Sequence, residues 1–362
     1  MKKVIALILT VLIFTGITAC SSTNNLKTSK SIKPTAQEVV NTKVKKKMDK
    51  TLSSLNFRGI VYLTHNGNSV YQYVNGKNEK GKPLSVNSNM YLGSVSKQFC
   101  AASILILRDK GKLSLNDKVN KYFPEYKSGK KITLKNLLTM RSGIPDMVNE
   151  GVIENVLSPK NSETKNIKAV KNWIFKQPLK FKPGSEYAYS NSNFFILSNI
   201  VEKVSGQHYT KFVRENIFKP LKMNSTGFVD EVKENPKWAE GLKSSGMSVG
   251  NSVKGLTKGA GDMASNAYDM EAWMSGLSGG KIISKKSFEE MTEDYSPENA
   301  AKYGYGLSGE YKGAVGHSGR IGNYYSKDYI NVKYGYNLII MSNHFSPTYE
   351  NLPTSLLKDL LK

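Results

Sequence analysis

The sequence predicts an α+β fold, an α/β sandwich. One antiparallel sheet made from both chain ends is flanked by helices, and a mostly helical lobe is inserted between its halves. Two observations carry this reading. Strand-like segments occur early, in FRGIVYLTHNGNSVYQYVNG, and return late, in KYGYGLSGEYKGAVGHSG and YYSKDYINVKYGYNLIIMSNH. Between them the patterns are helical, broken by Gly, Pro and Asn, as in TLKNLLTMRSGIPD, NIKAVKNWIFKQPL and NFFILSNIVEKVSG. With 362 residues the chain exceeds one ordinary core, which suits a large two-part domain.

The first residues read as an address. MKK is a positive start, and the apolar run VIALILTVLIFTG is shorter than the roughly 20 residues a membrane span needs, so residues 1–19 are expected to be an export signal. The ITAC that ends it resembles a bacterial lipobox, which implies lipidation of Cys20 and a lipid-anchored protein on the extracytoplasmic face of the cell membrane. Residues 20–36 are polar and read as a tether. The folded domain is expected over 37–362, opening with a helix from about Ala36, with the helical lobe at roughly 110–250. Asn66-Gly67 between two strand patterns is a hairpin signal. TYENLPTSLLKDLLK closes the chain as an amphipathic helix.

Composition excludes several classes. Two cysteines make no disulfide framework, and Cys100, inside an apolar run, reads as a small buried hydrophobe. Four histidines, at 65, 208, 317 and 344, lack metal-ligand spacing, and no glycine-rich phosphate loop occurs, so no cofactor or metal is implied. A net charge of +23 is spread along the chain without an arginine-rich block or nucleic-acid motif. It suggests an anionic neighbourhood, such as lipid or wall polymer, or simply a lysine-biased composition, and argues against nucleic acid as a partner.

Chemistry concentrates in three places. In YLGSVSKQFC, Ser94 and Lys97 share one face of the first turn of an apolar helix. Burial and the helix N-terminus both disfavour a charged amine there, so Lys97 can accept the proton of Ser94. The alternative is a capping serine and a snorkelling lysine. In EYAYSNSNF, Tyr189 is a candidate base if the positive field of Lys97 favours its phenolate, and Asn191 a candidate holder of a substrate carbonyl. Packing at a lobe interface is the alternative for the tyrosine. In GHSGRIGNY, the strand at His317 and Gly319 can align a peptide-like substrate. The N–H after Gly319 can join that of Ser94 in an oxyanion hole. A histidine beside a turn is otherwise structural.

LGSVSK, YSN and HSG occur in the order and rough spacing of the serine penicillin-recognising hydrolases. The stretches LKNLLTMRSGIPD, IFKPLKMNSTGF, GAGDMASNAYDMEAW and YNLIIMSNH between and after them are similar as well. Over residues 50 to 360 the chain resembles the branch containing class C β-lactamases and D-alanyl-D-alanine carboxypeptidases. The resemblance implies a nucleophile at Ser94, its proton partner at Lys97 and a general acid–base at Tyr189. It places substrate contacts at Asn191, His317 and Gly319, and an oxyanion-hole N–H at Arg320. It further implies acyl transfer on D-alanyl groups of peptidoglycan stems or teichoic acid, with β-lactams as ligands. A dedicated β-lactamase and a non-hydrolytic wall-fragment sensor are the alternatives. Where class C enzymes carry Lys-Thr-Gly this chain has His317-Ser318-Gly319, and a histidine of ordinary pKa is only partly charged at neutral pH.

Overall fold

A computed structural model describes residues 40–78, 80–150, 152, 160–229 and 258–361. Cys20 and the segments read as export signal and tether lie outside them. Six strands form one antiparallel sheet: β1 (Gly59–His65), β2 (Asn68–Asn75), β6 (Ser308–Gly309), β7 (Val315–Ile321), β8 (Tyr324–Asn331) and β9 (Tyr336–Ser342), in the order β2-β1-β9-β8-β7-β6. The sheet therefore does join the two chain ends, through β1 on β9 with Ile60 opposite Met341. The Asn66-Gly67 turn closes β1 on β2, with both residues at positive φ as a tight hairpin requires. Three short strands, β3 (Met90–Tyr91), β4 (Gly227–Phe228) and β5 (Met263–Ser265), form a second small sheet.

Alternation along the strands assigns the two faces of the large sheet. Ile60, Tyr62, Ile339 and Met341 pack inward against the helical part, whereas Val61, Leu63, Leu338 and Ile340 pack outward. The outer face is covered by two terminal helices, α1 (Thr42–Ser54) and α8 (Leu352–Leu360), through Met48, Leu52, Leu356 and Leu357. With both faces buried, β9 carries a continuous apolar run, Leu338 to Met341, rather than an alternating one. The helix expected from about Ala36 is observed from Thr42, where the Asn41 side chain accepts from the Val44 N–H.

Against the inner face lies α2 (Ser96–Asp109), buried from Ser96 to Leu107. Each Ile, Leu or Phe it buries contributes about 1.5–3 kcal/mol. Its polar residues are paired: Gln98 donates to both oxygens of Asp328 at 2.7 and 2.9 Å and accepts from Trp273 Nε1 at 2.9 Å. The helical part continues with α3 (Leu134–Leu138), α4 (Glu163–Lys176) and α5 (Asn191–Ser205). It runs past residue 250, through α6 (Ala267–Ser278) and α7 (Lys285–Thr292). Among the described residues no helix is long and apolar enough to cross a membrane.

Candidate active site

Ser94 sits in a single 3-10 turn, Gly93–Val95, just before α2. The sequence suggested that Ser94 and Lys97 share the helix's first turn, but the α-helix proper begins at Ser96. Gly93 makes the turn possible in two ways. Its φ is +49°, and a β-carbon there would lie 2.7 Å from the Arg320 nitrogen. Gly319 is packed as tightly from the other side, since a β-carbon on it would stand 1.8 Å from the Leu92 carbonyl oxygen. Two glycines thus let β7 lie directly on the turn, with Ser326 Oγ donating to Leu92 O at 2.6 Å as a further tie. The Arg320 backbone nitrogen is thereby brought against Gly93, the residue before Ser94.

Lys97 is wholly buried, yet its Nζ has three partners: Ser94 Oγ at 2.9 Å, Asn191 Oδ1 at 2.7 Å and the Ala260 carbonyl at 2.7 Å. Asn191 Oδ1 and the carbonyl can only accept. A neutral amine donates to those two and has one lone pair left, and Ser94 is the partner that can donate to it. Burial lowers the Lys97 pKa to about 7, with the Asp146 carboxylate pulling in the opposite direction. Near neutrality the amine is therefore free to take a proton.

Tyr189 closes the site from the other side, with Lys97 Nζ 5.0 Å from its ring centre. The expectation that this field favours a phenolate is not met. Burial drives the Tyr189 pKa well up and outweighs the hydrogen bond with Ser94, so the group stays a phenol and a proton donor. Asn191 opens α5, and its carboxamide is fully committed. Oδ1 serves Lys97, while Nδ2 donates to both Asp146 oxygens at 3.1 Å. It is thus a positioning residue in this state, rather than the free carbonyl holder the sequence suggested. Asp146 also accepts the Asn191 backbone N–H at 2.9 Å, a carboxylate at a helix N-terminus. Ser192 Oγ, bonded to Pro145 O at 2.7 Å, stitches the same loop to α5.

His317 differs from the sequence reading as well. It is 5% exposed, and its Nδ1 lies 2.5 Å from the Ser318 carbonyl, so Nδ1 carries the proton. Nε2 then accepts from the Tyr303 hydroxyl at 3.1 Å. Burial, helped by the Lys97 charge, pushes the imidazole down to about 3, so it is neutral rather than partly charged at neutral pH. Its backbone N–H is held by Asp328 Oδ1 at 3.0 Å.

The cleft over these groups is about 580 Å³. It is lined by Ser94, Tyr189, His317 and Gly319, by Arg320 of β7 and Lys327 of β8, and by the carboxylates of Glu310 and Glu350. The Arg320 guanidinium stacks 4.0 Å over the Phe345 ring. Of the seven residues singled out between Ser94 and Arg320, five line this cleft, and Lys97 and Asn191 lie beneath it, tied to Ser94 through Lys97 Nζ. Asp146, Ala260, Tyr303 and Asp328 were missed. IPD at the end of a quoted stretch was the one visible signal for Asp146.

Comparison with known proteins agrees with this geometry. The family model described as Beta-lactamase matches residues 40–361. The chain belongs to the β-lactamase family. PbpX of Bacillus subtilis (strain 168), named as a candidate penicillin-binding protein, is 32% identical over 299 residues, which is 80% of this chain and 72% of PbpX. Further curated relatives, from Staphylococcus aureus, are matched over about 55% of their own length. The crystal structure of FmtA from Staphylococcus aureus superposes with a TM-score of 0.72 at 25% identity, covering 87% of this chain and 88% of FmtA. The D-amino acid amidase of Ochrobactrum anthropi shares the fold, with a TM-score of 0.74 at 20% identity over 88% of this chain and 98% of that one.

Proposed function

We propose that this β-lactamase-family chain is an envelope-anchored serine acyl hydrolase, lipidated at Cys20. It forms an acyl-enzyme at Ser94 and acts on D-alanyl amides or esters of the cell wall. The observation that carries the reading is the fully buried Lys97 amine, whose one proton-donating partner is Ser94. A pure binding protein has no use for an amine buried at that cost.

Ser94 Oγ attacks the acyl carbonyl as its proton passes to Lys97 Nζ. The Ser94 and Arg320 N–H groups receive the oxyanion. On collapse, the Tyr189 phenol protonates the departing amine or alkoxide and recovers a proton from the Lys97 ammonium. Water then attacks the acyl-enzyme by the reverse proton route and releases the acid. The neutral His317 supplies no cation for a substrate carboxylate, which leaves Arg320 and Lys327 of the cleft to hold one. This favours an ester or amide without a free carboxylate over a dedicated β-lactamase, whose substrate presents one. The D-amino acid amidase fold and the naming of PbpX support a D-configured acyl group.

Intact-protein mass after mixing with a D-alanyl ester or with benzylpenicillin tests the assignment. An adduct of the acyl mass is expected on the wild type and is absent from Ser94→Ala. Turnover retained by Ser94→Ala would overturn it. The positioning role of Asp146 predicts a second result. Asp146→Asn removes the carboxylate that supports the Lys97 ammonium, so the acid limb of the acylation rate moves to lower pH. The plateau falls about tenfold, because Asn191 loses a two-oxygen acceptor. An unmoved limb in a pH–rate profile would disprove that coupling.

A further inference from the structure

Lys43, Lys46, Lys47 and Lys50 of α1 stand at i, i+3, i+4 and i+7, which puts them on one helix face. That face is opposite the one carrying Val44, Met48 and Leu52, of which Met48 and Leu52 are wholly buried on the outer side of the sheet. Lys43, Lys46 and Lys50 therefore point outward, with Lys47 at the flank of the stripe. Lys43, Lys46 and Lys50 are exposed and Lys47 half-buried. Among the described residues none of the four side chains has a hydrogen bond or ion pair. Asp49, the acid of this helix, is engaged by the Tyr71 hydroxyl at 2.6 Å. The stripe works against the helix that bears it. Like charges at these spacings repel, and Lys43 lies at the positive end of the helix dipole. The fold gives no return for that cost, which points to a partner.

The sheet separates this stripe from the catalytic groups. Val315 and Ile321 of β7 pack inward and Ala314 outward, so His317 and Gly319 lie on the inner side with Ser94, whereas α1 covers the outer face. A surface that binds the stripe thus leaves the Ser94 side free. Cys20, the lipidation site proposed above, lies upstream on the same chain end, 23 positions before Lys43. A lipid anchor at the end of a polar tether holds the domain near a membrane without orienting it, and a basic patch facing anionic lipid supplies the orienting contact.

We infer that the α1 lysine stripe rests on an anionic lipid surface and turns Ser94 away from it, toward the wall. This rests on the envelope anchoring proposed above. The full chain and its Lys43→Gln/Lys46→Gln/Lys47→Gln/Lys50→Gln variant are mixed with phosphatidylglycerol–phosphatidylcholine or pure phosphatidylcholine vesicles and sedimented. Each lysine near an anionic surface contributes about fivefold, so the variant is expected to lose at least about a hundredfold in partitioning to anionic vesicles. Partitioning to zwitterionic vesicles is unchanged, and 0.5 M salt erases the difference. Melting temperature checks that the variant is folded. Equal partitioning of both proteins to anionic vesicles would overturn the inference. So would release of the wild type by poly(glycerol phosphate) below the charge concentration of the lipid, which would give the stripe to a wall polymer. Absence of binding to zwitterionic vesicles by either protein would instead count against the anchor and leave the anionic difference readable.

Discussion

Lys97→Met is expected to lower the rate of Ser94 acylation by about a thousandfold, the scale of losing a positioned general base. Only the neutral amine accepts the serine proton. With a pKa brought down to about 7, wild-type acylation rises tenfold per pH unit below neutrality and levels off above it. The variant loses both the rate and this pH dependence. Stopped-flow acylation across pH 5 to 9 reads the two together. A variant that keeps a limb near pH 7 would show that another group moves the proton.

The same substitution has a signature in stability. In the unfolded chain Lys97 holds its proton up to the ordinary value of 10.5, but in the fold only up to about 7. Between those values the unfolded state binds the extra proton, so stability rises with pH in that window. Denaturant unfolding should find the wild type gaining about 1.4 kcal/mol per pH unit on Lys97→Met above pH 7. Below pH 7 both states are protonated and the difference is flat. A flat difference from pH 7 to 9 would mean that Lys97 is buried as an ammonium.

These results depend on residues that were unequally legible. Ser94 and Lys97 are three apart, so a local pattern holds them and an amine in an apolar helix is conspicuous by itself. The hairpin at Asn66-Gly67 and the strands of both chain ends were legible for the same reason. Asp146 was not, because its use depends on Asn191, 45 positions later. Nor was the Ala260 carbonyl, since no side chain marks a backbone acceptor and its place on Lys97 is set by a turn in which Gly259 N–H meets Asp262 Oδ1 at 3.2 Å. The charge states of His317 and Tyr189 misled for a third reason. Ordinary pKa values assume water, and both groups lie where burial decides.

Gly319→Ala carries the other large expected effect, and it tests the glycine contact on which the cleft depends. The added β-carbon would sit 1.8 Å from the Leu92 carbonyl and 2.8 Å from Ser326 Oγ. Backbone cannot yield as a flexible side chain does, so β7 must back away from the turn that bears Ser94. Leu92 is itself fixed on its far side, its N–H donating to Met263 O at 2.9 Å, which leaves the strand to move. Overpacking of this kind costs about 1–3 kcal/mol, and a 1 Å displacement of a catalytic group about a hundredfold in rate. The variant should therefore melt several degrees lower and acylate at least about a hundredfold more slowly. Its acid limb should stay near pH 7, because nothing around Lys97 Nζ has changed. That combination separates the two halves of the site. Loss of rate with an unmoved limb places the damage at the Arg320 N–H and the strand. Wild-type rates in a folded Gly319→Ala protein would show that β7 and the Ser94 turn need not touch.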